Sequence, residues 1–187
     1  MFTIPNFLTL LRALGIPVFL YFIFQESYPL AVVTLMIAGA TDYFDGKLAR
    51  LLNQESRLGE LMDPAVDRLY IATILLAMYL TDSVPVSLLI VIVLRDLILG
   101  LLLVKMKSAG LPPFKVTYLG KAATFNLLYA LPLLLLTSTS LGALADVAFI
   151  TGWAFAGWGI ALYIYTGFTY GISGVKLLRR RNEIEGK

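Results

Sequence analysis

Residues 41–68 read TDYFDGKLARLLNQESRLGELMDPAVDR and place four aspartates, Asp42, Asp45, Asp63 and Asp67, in a chain otherwise apolar enough for a lipid bilayer. A carboxylate at bilayer depth costs about 2.5–3.5 kcal/mol on insertion scales. Four of them need a compensating partner, and hard oxygen ligands gathered at one point suit Mg²⁺, Mn²⁺ or Ca²⁺. The spacing favours such a gathering. Asp42 and Asp45 are three residues apart and Ala49 follows seven after Asp42, which puts all of them on one face of a helix. Gly59, Asp63 and Asp67 step by four and share a face of the next helix. The connection is short, so the two helices are expected to be antiparallel neighbours with these faces opposed. Gly46 and Gly59 remove side chains where a facing helix or a ligand comes close. Pro64 is expected to loosen or kink the second helix beside Asp63.

Outward from this stretch the chain is a membrane protein by composition. Of 187 residues 59% are hydrophobic, the mean hydropathy is +0.83, and apolar runs near span length recur throughout. The expected fold is all-α, a single-domain polytopic bundle over residues 1–187 with six transmembrane helices. The spans are predicted near Leu8–Phe24, Leu30–Arg50, Leu58–Leu80, Val86–Val104, Tyr118–Leu136 and Val147–Val175. The first 24 residues have no basic leader and no small-residue cleavage site, so they read as retained structure rather than a secretion signal. Cysteine and histidine are both absent. That excludes disulfides, thiolate catalysis and zinc–thiolate sites, and it leaves acid–base work to Asp, Glu, Lys or Tyr.

Loop charges give an orientation. QESYP, TDSVP and TSTSLGALAD contain no Lys or Arg, whereas Lys47, Arg50, Arg57, Lys105, Lys107, Lys115, Lys121, Lys176, Arg179, Arg180, Arg181 and Lys187 collect on the other side. The positive-inside rule then puts both termini and the aspartate stretch at the cytoplasmic face of the plasma membrane. The net charge of +3 resides there and attracts anionic headgroups, although the Arg179–Arg181 cluster is read as a topology signal. Asn6, Thr9 and Arg12 recur every three residues from a helix begun near Pro5, a polar stripe expected to form a short N-terminal interfacial helix or to line a site. The last span is rich in small residues. Its Gly167–Gly171 pair is read as tight packing within the bundle more than as a dimer contact.

Two other readings of the aspartates compete with catalysis. An ion-coupled transporter also uses intramembrane carboxylates, but broken helices and an internal repeat usually accompany them, and no repeat is evident. A structural cluster with Arg50, Arg57 and Arg68 would bury much charge for little net stability.

The same residues resemble a known family. Asp42, Asp45, Gly46, Ala49 and Arg50, then eight residues, then Gly59, Asp63 and Asp67 reproduce without departure the pattern DxxDGxxAR…GxxxDxxxD of the CDP-alcohol phosphatidyltransferases. The resemblance implies a six-helix membrane core, transfer of a phosphatidyl or related group from a CDP-linked donor to an alcohol, and release of CMP. It implies two divalent ions, Mg²⁺ or Mn²⁺, on Asp42, Asp45, Asp63 and Asp67, with Asp67 also the general base. It places Gly46, Ala49, Arg50, Ser56 and Gly59 at the CDP donor, and an IPN, LT, R pattern adds Asn6 and Thr9. Candidate acceptor residues are Arg12, Arg68, Arg95 and Lys121; Arg95 either holds an acceptor phosphate or is neutralised by Asp96.

Within the family, DPxxDRLYI, LGKAATFN and GWAFAGWG look most like the actinobacterial members that form cardiolipin. Arg68 and Ala122-Ala123 depart from the pattern of glycerol-3-phosphate users. The expected substrates are therefore CDP-diacylglycerol and phosphatidylglycerol, with glycerol 3-phosphate the alternative acceptor. The lipid bilayer and a second copy of the chain, as a homodimer, are the other partners implied; nucleic acid is not.

Overall fold

Long runs of Leu, Ile, Val and Ala form helices, and they stop where Ser, Asp, Gly and Pro gather. Among the described residues the chain makes α1 (Ile4–Phe24), α2 (Tyr28–Leu52), α3 (Arg57–Leu80), α4 (Val86–Ser108), α5 (Tyr118–Leu136) and α6 (Ala143–Glu185). The structure, a computed structural model, describes residues 4–52, 57–114 and 117–185, with the backbone alone for 4–10, 12, 42–52, 57–67, 182, 184 and 185.

Three of the helices end alike. Glu26, Asp82 and Gly110 adopt positive φ just past α1, α3 and α4. The next amide then reaches back to the helix, as Ser27 N–H to Phe22 C=O at 3.0 Å, Ser83 N–H to Met78 C=O at 2.8 Å and Leu111 N–H to Met106 C=O at 2.9 Å. This left-handed cap satisfies carbonyls that would otherwise face an apolar surround. It also reverses the chain within a few residues.

α1 packs against α2 and α3, α5 against α2 and α6, and α4 against α3 and α6. Phe19, Ile23, Leu35, Ile74, Met78 and Leu134 are buried in the core that α1, α2, α3 and α5 share. The outside is apolar as well. Leu14, Met36, Ile98, Leu101, Ile150 and Phe168 are large and exposed. On α4 only Leu88, Ile92, Leu99 and Met106 are buried, while outward residues such as Ile90, Leu94, Leu97, Ile98 and Leu101 are apolar as well. A helix apolar on its outward side too is solvated by lipid, so the protein belongs in a membrane. By length and apolarity, α4, α5 and residues 143–181 of α6 are each sufficient to cross a bilayer. The described apolar stretches of α1 to α3 (Ala13–Phe24, Tyr28–Thr41 and Arg68–Leu80) are shorter.

Two expectations change. The polar segment Asn6–Arg12 is not a separate interfacial helix but the opening turns of α1, which starts at Ile4. Pro5 is tolerated in a first turn, and no breaker follows until Pro17, which α1 absorbs. α6 does not stop at Val175 but continues to Glu185, giving 43 residues and about 65 Å of helix. The hydrocarbon core is about 30 Å thick, so the Arg179–Arg181 end projects well outside it. Charged residues end a span by hydropathy without ending its helix.

Candidate active site

The last turns of α2 carry Asp42, Asp45, Gly46, Ala49 and Arg50, and the first turns of α3 carry Gly59, Asp63 and Asp67. Both segments are helical, as the spacing requires, and residues 53–56 connect them. The side chains of these residues, like those of Asn6, Thr9 and Arg12, lie outside the described residues, and so does Ser56 altogether. Thr41, the last described side chain of α2, donates its hydroxyl to Ala38 C=O at 2.8 Å and is thus turned back on its own helix. Among the described residues no three acidic groups gather elsewhere in a way that could hold a metal.

Immediately after Asp67 the side chains are described, and they open onto a charged cluster between α3, α4 and α6. Arg95 Nη1 donates to Asp96 Oδ1 at 2.9 Å, and Tyr163 O–H donates to the same oxygen at 2.6 Å. Arg68 Nε lies 3.9 Å from Asp96 Oδ2. Arg95 Nη2 reaches the Thr166 hydroxyl at 3.4 Å, and its guanidinium carbon sits 4.0 Å from the centre of the Tyr163 ring. One carboxylate therefore collects two guanidinium groups and a phenol, drawing three helices to one point.

Gly167 eases this approach. A Cβ there would come within 3.1 Å of Arg95 Cγ and 3.3 Å of Arg95 Nε, so a larger residue would shift the arginine by a few tenths of an ångström.

The cluster separates the acceptor candidates. Arg95 is engaged by Asp96, Thr166 and the Tyr163 ring, which favours the neutralised-pair reading; its Nε is buried with no hydrogen-bond partner among the described residues. The Arg68 side chain is 53% exposed, against 16% for Arg95 and 14% for Asp96. Arg68 is thus the guanidinium with room for a ligand. It follows Asp67 directly in the chain.

Lys121 stands apart from these two, at the start of α5. Tyr170 on α6 accepts the Thr117 N–H at 2.9 Å and hydrogen-bonds the Thr117 hydroxyl at 2.9 Å, tying the α5 N-terminus to α6. A Cβ on Gly120 would collide with the Tyr170 hydroxyl, which explains the glycine before Lys121. Lys121 faces a cavity of about 850 Å³ between α2 and α5, whose α2 wall includes Gly39 and Ala40, three and two residues before Asp42.

Sequence reasoning weighed Asp96 only as a partner for Arg95 and overlooked Tyr163, Thr166 and Tyr170. A signal was available. Tyr163, the Thr166–Gly167 pair, Tyr170 and Gly174 recur every three or four residues, a polar and small-residue face on an otherwise apolar helix.

Comparison with known proteins assigns the chemistry. Residues 2–162 match the description of the CDP-alcohol phosphatidyltransferases. The chain is 44% identical over 183 residues to a protein of Streptomyces coelicolor named cardiolipin synthase (CMP-forming), covering 95% of this chain and 85% of that one. It is 37% identical over 186 residues to a putative cardiolipin synthase of Mycobacterium tuberculosis, covering 99% and 88%. A CDP-diacylglycerol–glycerol-3-phosphate 3-phosphatidyltransferase of Aquifex aeolicus is 37% identical over 67 residues, which cover 36% of this chain and 38% of that one. A family match over most of the chain, with all eight motif positions intact, sets aside both the transporter and the purely structural cluster: this membrane protein belongs to the CDP-alcohol phosphatidyltransferase family.

Proposed function

We propose that the protein transfers the phosphatidyl group of CDP-diacylglycerol to a glycerol hydroxyl of phosphatidylglycerol, forming cardiolipin and releasing CMP. The observation that carries this reading is the similarity along 95% of the chain to a CMP-forming cardiolipin synthase. The acceptor hydroxyl oxygen bonds to the phosphatidyl phosphorus while the bond from that phosphorus to the bridging oxygen breaks, and CMP leaves with that oxygen. Asp67 takes the hydroxyl proton. Asp42, Asp45, Asp63 and Asp67, in the last turns of one helix and the first turns of the next, offer an all-oxygen donor set whose chemistry fits Mg²⁺ or Mn²⁺. These four carboxylates would hold two such ions, which would supply charge neutralisation at the diphosphate oxygens.

Gly46, Ala49 and Gly59 leave space for the nucleotide, and Asn6, Thr9, Arg50 and Ser56 supply polar groups around it. The cavity between α2 and α5 runs up to the aspartate end of α2 and takes the donor's acyl chains. On the acceptor side Arg68, with Arg12, faces the phosphate of phosphatidylglycerol, whereas Lys121, expected there from the sequence, lines the cavity that takes the donor. Arg95 enters this arrangement through Asp96, which accepts from Arg95 and lies 3.9 Å from Arg68.

The same reading has six spans, a single domain, both termini and the aspartates at the cytoplasmic face of the plasma membrane, and a homodimer. Charge placement supports the orientation. Lys105, Lys107, Lys121, Lys176 and Arg179–Arg181 lie toward one set of ends of α4, α5 and α6, whereas Glu26, Asp82 and Asp146 lie at opposite helix ends or turns. The chain has no cysteine, so single cysteines test this directly. In intact cells an impermeant maleimide should label Ser140→Cys and spare Ser108→Cys, and the reverse pattern refutes the orientation.

The reaction is tested with purified protein, CDP-diacylglycerol and Mn²⁺, offering phosphatidylglycerol and glycerol 3-phosphate separately. Cardiolipin and CMP from the first alone are expected. Phosphatidylglycerophosphate from the second would establish the other acceptor, which the Aquifex relative favours over about a third of the chain.

A further inference from the structure

The parallel helices α4 and α6 leave a second groove on the outside of the bundle, away from α2. It encloses about 620 Å³ and is walled by apolar side chains including Leu94, Ile98, Ile164, Phe168 and Ile172. Arg95, lying on Gly167, forms part of its wall toward the Val91 and Ile164 end. The other end reaches Lys176 and Arg179, where a polar pocket of about 440 Å³ adjoins it, sharing Val175 and Arg179 and adding Lys105 and Ser108. Apolar wall and basic mouth are therefore continuous.

Dimensions identify what fits. From Ile164 to Arg179 the groove follows α6 for about 22 Å at 1.5 Å per residue. One leaflet with its headgroup zone is half of a 40–45 Å bilayer, about 20–22 Å. The groove thus has the length of one leaflet, oil-lined inside and positively charged at the surface. We propose that it holds one anionic glycerophospholipid of the surrounding leaflet, its acyl chain along α4 and α6 and its phosphate between Lys105, Lys176 and Arg179. Charge complementarity selects this occupant over a zwitterionic lipid, because each Lys or Arg near a membrane surface favours an anionic headgroup.

Topology signalling alone would account for the basic residues, but not for the groove that leads into them. Gly171 forms part of its wall, and a Cβ there meets nothing within 4 Å. The Gly167–Gly171 pair is therefore divided: Gly167 is spent on Arg95, and Gly171 opens the groove.

The binding does not depend on the transfer reaction, so it is measured without CDP-diacylglycerol and with EDTA present. Native mass spectrometry counts the lipids retained by the full-length protein after exchange into phosphatidylserine or phosphatidylcholine of the same acyl chains. Wild type should keep one phosphatidylserine and release phosphatidylcholine. Lys105→Gln and Arg179→Gln should each weaken retention about fivefold. Gly171→Leu, which fills the groove from α6, should abolish retention, and Ile98→Trp should do the same from α4, whereas Gly171→Ala should keep the lipid. Equal retention of both lipids, or undiminished phosphatidylserine in whichever filled variant folds, overturns the proposal. A dimer that dissociates in Gly171→Leu while its lipid stays bound also overturns it, because a second copy of the chain then covers this face.

Discussion

Asp96→Ala removes the carboxylate on which Arg95, Tyr163 and Arg68 converge, and its cost follows from what stays behind. Arg95, 16% exposed, keeps only the 3.4 Å bond to Thr166 and the Tyr163 ring at 4.0 Å. Breaking a buried pair by removing one partner costs about 3–5 kcal/mol. A desolvated cation–π contact contributes about 2 kcal/mol and remains in place, so the lower end, about 3 kcal/mol, is expected. The Arg68 contact adds little, because about half of that side chain is exposed and the separation is 3.9 Å. At about 2–4 °C per kcal/mol for a chain of this size, the melting temperature in detergent should fall by about 10 °C.

The coupled variant separates this cause from general damage. Arg95→Leu with Asp96→Ala removes both charges, and replacing a whole buried pair by apolar groups is nearly neutral. In both variants the Tyr163 hydroxyl lacks its acceptor, a shared loss of about 1–3 kcal/mol on top of the Arg95 effect. The double variant should therefore be at least as stable as Asp96→Ala alone, measured by thermal unfolding with both proteins in the same detergent. If Asp96→Ala melts with the wild type, or if the two substitutions simply add, the cluster is not a desolvated pair and the reasoning fails.

Further outcomes follow from the same geometry. Asp67→Asn should abolish CMP release while the melting curve stays near wild type, and full turnover in this variant would remove Asp67 as the base. Chelation with EDTA should stop CMP release, and Mg²⁺ or Mn²⁺ should restore it; turnover unaffected by EDTA would refute the oxygen-ligated site. Gly174→Val should cost about 1–3 kcal/mol, because a Cβ there already meets Phe114 at 2.7 Å and Leu102 at 3.0 Å. Gly157→Ala, with nothing within 4 Å, should be neutral or stabilising by about 0.5–1 kcal/mol, and both effects are read as shifts in thermal unfolding.

Much of this protein was legible from residue order. The α5 bounds Tyr118–Leu136 agree with the hydropathy expectation, and α2, α3 and α4 agree within a few residues, because an apolar run and its polar ends are local properties. α6 was misjudged at its end, since hydropathy measures where lipid stops and helix propensity continues through Lys, Leu and Arg. The polar stripe of α1 was misjudged for the related reason that a change in polarity is not a change in backbone. The reading of the last span's glycines as bundle packing is supported at Gly152 and Gly159, which meet Leu133 and Leu127, and at Gly167 and Gly174. Gly157 and Gly171 instead open onto space, which spacing could not have separated from the others.

The sequence by itself determined the membrane class, the helical register of the aspartates and the chemistry their donor set can support, because periodicity and residue type are carried by each helix alone. Only the tertiary structure decided that Arg95 is bound into the bundle while Arg68 remains open, since Asp96, Tyr163 and Gly167 had to arrive from their own places on α4 and α6. The groove beside Gly171 was decided in the same way. It belongs to neither helix and exists only in the space between two parallel ones.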